Sequence, residues 1–292
     1  MPRLGEVSYS RDAAVRAIRE YYGFLVKMYA NESFILEPPE GGWPLTDSKG
    51  FAQALGKTDE VVELLRRLPY ISFNEAHGAP ECWFADWQRC MSLYNAGHVQ
   101  EGQLSYHECM RITTENAIED MSPHVIGLID GGRYTPAFLL DTERGVVYWY
   151  NRFYACDDTI KDNPNWERIQ DDPYDYAPES EADWRGTGWA IPEFFDNLND
   201  QFRQLVFTPI GSCDVCWDDT IDNVGELQAI YREHGWPDLD RYRKKDCLRA
   251  VRAWTKEHCD GMRDHDEPED SDNAEEALGS SRRAGPLSAT PE

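Results

Sequence analysis

Cys213 and Cys216, in the stretch GSCDVCWDD, stand three positions apart, the spacing of a zinc half-site or of a redox pair. A complete zinc site needs a second close pair of Cys or His. The remaining cysteines, at 82, 90, 109, 156, 247 and 259, are isolated, and His107 with Cys109 in HECM has the wrong spacing for a zinc knuckle. The pair is therefore read as structural or incidental. His77, Cys82 and Asp86, in HGAPECWFADW, supply the types needed for a base, a nucleophile and an orienting carboxylate, or for three metal ligands. Partners of that kind usually come from distant segments, so a turn followed by a half-buried stretch anchored on Trp83, Phe84 and Trp87 is the simpler reading. Asp130, Asp141, Asp157 and Asp158 stand at the ends of predicted strands, where paired carboxylates could serve hydrolysis or Mg²⁺, and where turns also favour Asp. No Gly-rich phosphate loop, GxSxG or HExxH is present. A metal-assisted hydrolase on His77, Cys82, Asp86 and these carboxylates is the enzymatic alternative. No cofactor is expected.

The elements that would position these residues are best defined between 124 and 151. TPAFLLDTERGVVYWYN reads as two strands, with Ala137, Leu139 and Asp141 alternating against Phe138 and Leu140, and Val146, Tyr148 and Tyr150 against Val147 and Trp149. Gly145 can take the positive φ that a short hairpin loop requires. HVIGLIDGG supplies a third strand, so an antiparallel meander is expected from His124 to Asn151. Apolar bulk on both sides fits a sheet covered twice, or covered once and used for docking on the other face. Helices are expected from about Ser10, from Thr58 to Pro69, across YHECMRITTENAIEDMSP, and from Pro192 with a stripe of Phe194, Phe195, Leu198, Phe202 and Leu205. Two more follow, one capped by Asp222 and ended by Gly235, the other basic, with Leu239, Tyr242, Leu248, Val251 and Trp254 facing inward. Residues 31–45 read as irregular.

The fold class is α+β: an antiparallel meander packed by several helices in a single domain over residues 1–259. Residues 157–185 carry Asp171, Asp172 and Asp175 among ten acids and read as a long acidic loop on the sheet's rim. Residues 260–292, with ten acids and three Arg, read as a disordered tail. The chain has 54 acidic residues against 29 Lys and Arg, a formal charge of −25. Such a surface repels phosphate backbones and anionic membranes, so neither nucleic acid nor membrane is an expected partner. No apolar run approaches a membrane span, and the opening MPRLGEVSYSRD has no signal core, so the protein is expected inside the cell, in cytoplasm or nucleus. The scattered cysteines fit a reducing compartment.

The order helix, LPY, VIGLIDGG, TPAFLLDTERGVVYWY and IPEFFDNLNDQF resembles the SUKH superfamily, which contains fungal cell-wall assembly regulators and bacterial toxin-immunity proteins. The likeness covers about residues 55–207. EPPEGGWP and LGKTDEVVELLRRLPY also look like stretches of uncharacterised fungal proteins. The SUKH resemblance implies a non-enzymatic module whose sheet and rim bind other proteins. The expected function is accordingly a protein-binding regulatory or scaffold module for a partner with a basic surface. Asp130, Arg133, Trp149 and Tyr150 are the expected contacts on the meander, and Asp171, Asp172 and Asp175 on the rim.

Overall fold

The computed structural model describes residues 2–80, 82–97, 105–130, 135–151, 166–217 and 221–258. Arg133, Cys156, Asp157, Asp158 and the acidic tail lie outside the described residues. The architecture is α+β, with antiparallel sheets and packed helices.

Helix α1 (Arg11–Met28) starts where Ser10 accepts a hydrogen bond from the Ala13 amide, and it buries Ile18, Tyr21, Tyr22, Leu25 and Met28 at helical spacing. The stretch 31–45 stays irregular apart from a 3-10 turn and the two-residue strand β1 (Ile35–Leu36). Helix α2 (Ser48–Leu55) precedes α3 (Asp59–Arg67), which Thr58 caps as expected. Strand β2 (Tyr70–Ile71) pairs with β1. Strands β3 (His77–Ala79) and β4 (Cys82–Phe84) lead to α4 (Trp87–Asn95) and α5 (Tyr106–Thr114).

The meander forms in its described residues. Strands β5 (Val125–Gly127), β7 (Ala137–Asp141) and β8 (Val146–Tyr150) pair antiparallel, and β9 (Gly188–Ala190) adds a fourth strand that the sequence pattern did not suggest. Leu128 joins β5 to β6 (Ile129–Asp130), and β6 pairs with β4 instead of β7. The Leu128 amide donates to Phe138 while its carbonyl accepts from Ala85, so one bent strand serves two sheets. Gly145 has φ +73, and a Cβ there would meet the Ser8 carbonyl carbon and the Tyr9 amide nitrogen at 2.7 Å. Only glycine permits both the turn and this approach of the N-terminal segment.

Both faces of the four-stranded sheet are covered. On one, Phe138, Val147 and Trp149 lie under α8 (Ile191–Gln204), with the Phe138 ring 4.6 Å from Trp149 and 4.9 Å from Phe194. Helix α1 packs behind α8 through Tyr21 and Phe195, 5.4 Å apart. On the other face, Val125, Ala137, Leu139, Val146 and Tyr148 form a cluster with Met121, Ile169 and Trp184, against which Leu4 and Val7 also pack.

The expected acidic loop therefore needs correcting. Its described part carries helices α6 (Pro173–Tyr176) and α7 (Glu179–Ala182), and it buries Trp166, Ile169, Ala182 and Trp184. Apolar residues interspersed among the acids give the segment one dry side, which an averaged composition hides.

The described residues close with a hairpin of β10 (Phe207–Pro209) and β11 (Val215–Trp217), then α9 (Val224–Glu233) and α10 (Lys244–His258). Two expectations change here. Asn223, at φ 62, takes the cap position before α9 in place of Asp222 and makes no side-chain capping bond. Leu239 is exposed because α10 starts only at Lys244. The entry to α10 is held on the end of α1: the Tyr242 hydroxyl donates to the Met28 carbonyl, and the ammonium of Lys244, the first residue of α10, donates to those of Val26 and Ala30.

Candidate docking site on the acidic segment

Arg185 organises the segment. Its side chain is 3% exposed; Nη1 donates to Asp141 Oδ2 at 2.7 Å and to the Tyr148 hydroxyl at 3.1 Å, while Nε and Nη2 both reach Glu181 Oε2, at 3.0 and 2.7 Å. The guanidinium also lies 4.2 Å from the Trp184 ring centre. One buried cation thus ties the β7 end, β8 and α7 together. Desolvation of the phenol raises the Tyr148 pKa well above its usual value, so the hydroxyl stays protonated. Asp141 completes the turn with its other oxygen, which accepts from the Glu143 and Arg144 amides at 2.8 and 3.1 Å. This strand-end carboxylate is fully buried and committed to structure.

From that anchor the outer side of the segment projects into solvent. Asp172 caps α6 by accepting from the Tyr174 amide, and Asp171 accepts from the Leu4 amide at 2.7 Å. Tyr174 is 65% exposed, and its hydroxyl donates to Asp183 at 3.0 Å. That bond, with the charge of Asp183, raises the phenol's pKa. Asp172, Asp175, Glu179 and Asp183 are all exposed. An accessible aromatic ring beside four carboxylates on a fixed support is the resulting arrangement. Tyr174 and Arg185 were not singled out by sequence reasoning; the available signal was a lone Arg after a Trp at the end of an acidic run.

The residues expected on the meander sit differently. Trp149 is 6% exposed and belongs to the core beneath α8, which corrects its assignment as a surface anchor. The strand's alternation turns it toward α8, and a face covered by a helix has no surface to offer. Tyr150 is half-buried against the second face, and Asp130 is half-buried opposite Trp83. Of the rim residues, Asp171 is half-buried on Leu4, whereas Asp172 and Asp175 remain accessible.

His77 stands opposite Trp83, with ring centres 4.6 Å apart and Nδ1 3.6 Å from Asp214. Burial lowers its pKa and keeps the imidazole neutral. Cys82 is fully buried opposite Ala79, and Asp86 is spent capping α4 through the Arg89 amide at 2.9 Å. Cys213 Sγ lies 3.5 Å from the Ser212 hydroxyl, and Cys216 Sγ donates to the Thr208 carbonyl. Burial raises the Cys213 thiol's pKa, which disfavours the thiolate. Among the described residues, no group of three or more His, Cys, Asp and Glu is placed to hold a metal, and the six cysteines form no disulfides.

Two clusters missed by the sequence reading resemble catalytic sites. Ser105 Oγ lies 3.0 Å from His107 Nε2 and 2.6 Å from Glu108 Oε2. Its single proton goes to the carboxylate, whose pKa is lowered by that bond and by the Ser105 amide. The histidine can then only donate to the hydroxyl, so the arrangement is a capping box for α5, not an activated nucleophile. Lys57 and Glu115 meet at 2.6 Å, each with its side chain 1% exposed. Desolvation lowers the lysine's pKa and raises the glutamate's. The pair links the start of α3 to the end of α5.

No family model matches the chain, and no curated protein and no solved structure matches it. Among the described residues, no helix is long and apolar enough to cross a membrane.

Proposed function

We propose that this protein is a non-catalytic, protein-binding regulatory or scaffold module, of the kind the SUKH resemblance implies, that recognises a basic segment of a partner through the outer side of its acidic segment. Tyr174 carries this reading: a large aromatic residue left 65% exposed beside Asp172, Asp175, Glu179 and Asp183. Aromatic residues of this kind commonly anchor interfaces, and the ring face also attracts a Lys or Arg. The surrounding carboxylates would speed encounter with a basic chain.

The test is titration of the full chain into a dye-labelled arginine- and lysine-rich peptide, followed by fluorescence anisotropy. Tyr174→Ala should weaken binding about tenfold or more with no change in melting temperature. Neutralising Asp172, Asp175 and Asp183 to Asn should slow association and flatten the salt dependence. Binding unaltered in both variants would overturn the proposal.

A further inference from the structure

Helix α10 carries a charge pattern opposite to that of the whole chain. Between Arg241 and Lys256 there are seven cations and a single acid, Asp246, in a protein whose formal charge is −25. Lys245, Arg249, Arg252 and Lys256 follow one another at spacings of four, three and four residues. At 3.6 residues per turn they fall within about 60° of one another and form a stripe roughly 16 Å long. Cys247, Leu248, Val251 and Trp254 take the arc turned toward the core. The side chains of Arg249 and Arg243, just ahead of the helix, are 78% and 57% exposed. Asp246 approaches them at 3.1 and 3.9 Å, and such exposed pairs constrain little. Lys244 differs from the stripe: its ammonium is used on the end of α1. On α8, by contrast, the outer positions Glu193, Asp196 and Asp200 precede a single Arg203.

We propose that the outer face of α10, led by Lys245 and Arg249, together with the exposed Arg241 and Arg243 just ahead of the helix, is a second docking surface, for a short acidic segment of a protein partner. Charge complementarity selects an anionic occupant, and the surroundings select its kind. A membrane-binding amphipathic helix must offer an apolar side to lipid, whereas that side of α10 is buried in the protein core. Single-stranded nucleic acid is gripped by exposed aromatic rings. Here Trp254 is buried with its ring stacked on His258 at 4.5 Å, and the Tyr242 hydroxyl is bonded to the Met28 carbonyl. A long phosphate backbone would also run past the acidic remainder of the molecule, while a short acidic peptide needs to meet only the stripe.

The experiment titrates full-length protein into a dye-labelled poly-glutamate peptide at about 50 mM and about 300 mM salt. Saturable binding is expected at the lower concentration, weakened about tenfold or more at the higher. The variant Arg241→Glu, Lys245→Glu, Arg249→Glu should lose about tenfold or more in affinity at low salt, with Asp172→Asn, Asp175→Asn binding as wild type. If the charge-reversed variant melts lower than wild type, the neutral pair Lys245→Gln, Arg249→Gln carries the test instead. Absence of saturable binding, unchanged affinity in the cation variants, or tighter binding of an oligonucleotide or an anionic vesicle than of the peptide would overturn the proposal. Because these cations lie outside the acidic segment, its failure as a docking site would leave this result standing.

Discussion

The two faces of the central sheet are closed by chain of opposite character. Under α8 the contact is aromatic: Phe138, Trp149, Trp189 and Phe194 pack ring against ring. On the other side the cover is one of the most acidic stretches of the sequence, and it is attached through the buried ions Arg185, Asp141 and Glu181 as well as through Ile169 and Trp184. The first cover is held by matching shape and loses its hold when volume is removed. The second depends on charge balance, and its outer side is left free to carry carboxylates. A strongly acidic segment can thus be an integral layer of a fold.

The largest effect should come from the aromatic side. Trp149→Ala should cost about 4 kcal/mol of stability by denaturant titration, because a buried indole leaves a cavity that the packed rings fill only in part. A loss below about 1 kcal/mol would show that Trp149 packs loosely. Arg185→Ala should come next, at about 3 kcal/mol, since it strands the buried Glu181 and leaves Asp141 to the more distant Arg144, 3.7 Å away. A loss at Arg185 as large as that at Trp149 would break the contrast between the faces.

A smaller effect comes from His77, which belongs to neither cover and supplies a baseline. Its folded pKa is lowered by burial, so its contribution is present above the unfolded value of about 6.5 and is lost as pH falls. His77→Asn should reduce the loss of melting temperature between pH 7.5 and 5.5, and an unchanged slope would reject that role. The smallest stability change is expected for Tyr174→Ala, within about 0.5 kcal/mol, because the ring buries little. A larger loss would mean that Tyr174 supports α6 and is not held ready for a partner.

The parts of the fold legible in the sequence are those fixed by local repetition. Alternation through Phe138, Leu140, Val147 and Trp149, with Gly145 between the strands, marked the hairpin, and the stripe Phe194, Phe195, Leu198 and Phe202 marked α8. Alternation could not say which face would be closed or by what. That choice depends on Trp184 and Arg185 reaching Tyr148 and Asp141 across about 40 residues of chain, with β9 contributing only three residues of strand. The acidic character of the site was legible in composition. The exposure of Tyr174 was not, because it follows from Arg185 and Trp184 fixing the inner side of the same segment.

The bent strand at Leu128 gives the molecule a mechanical property. Its residues are shared between β4 and β7, so a pull that peels β3 and β4 away is transmitted through the Leu128 amide to Phe138 and on into the hairpin. Neither sheet can be detached as an independent flap, and the core of the protein should open as a single cooperative unit.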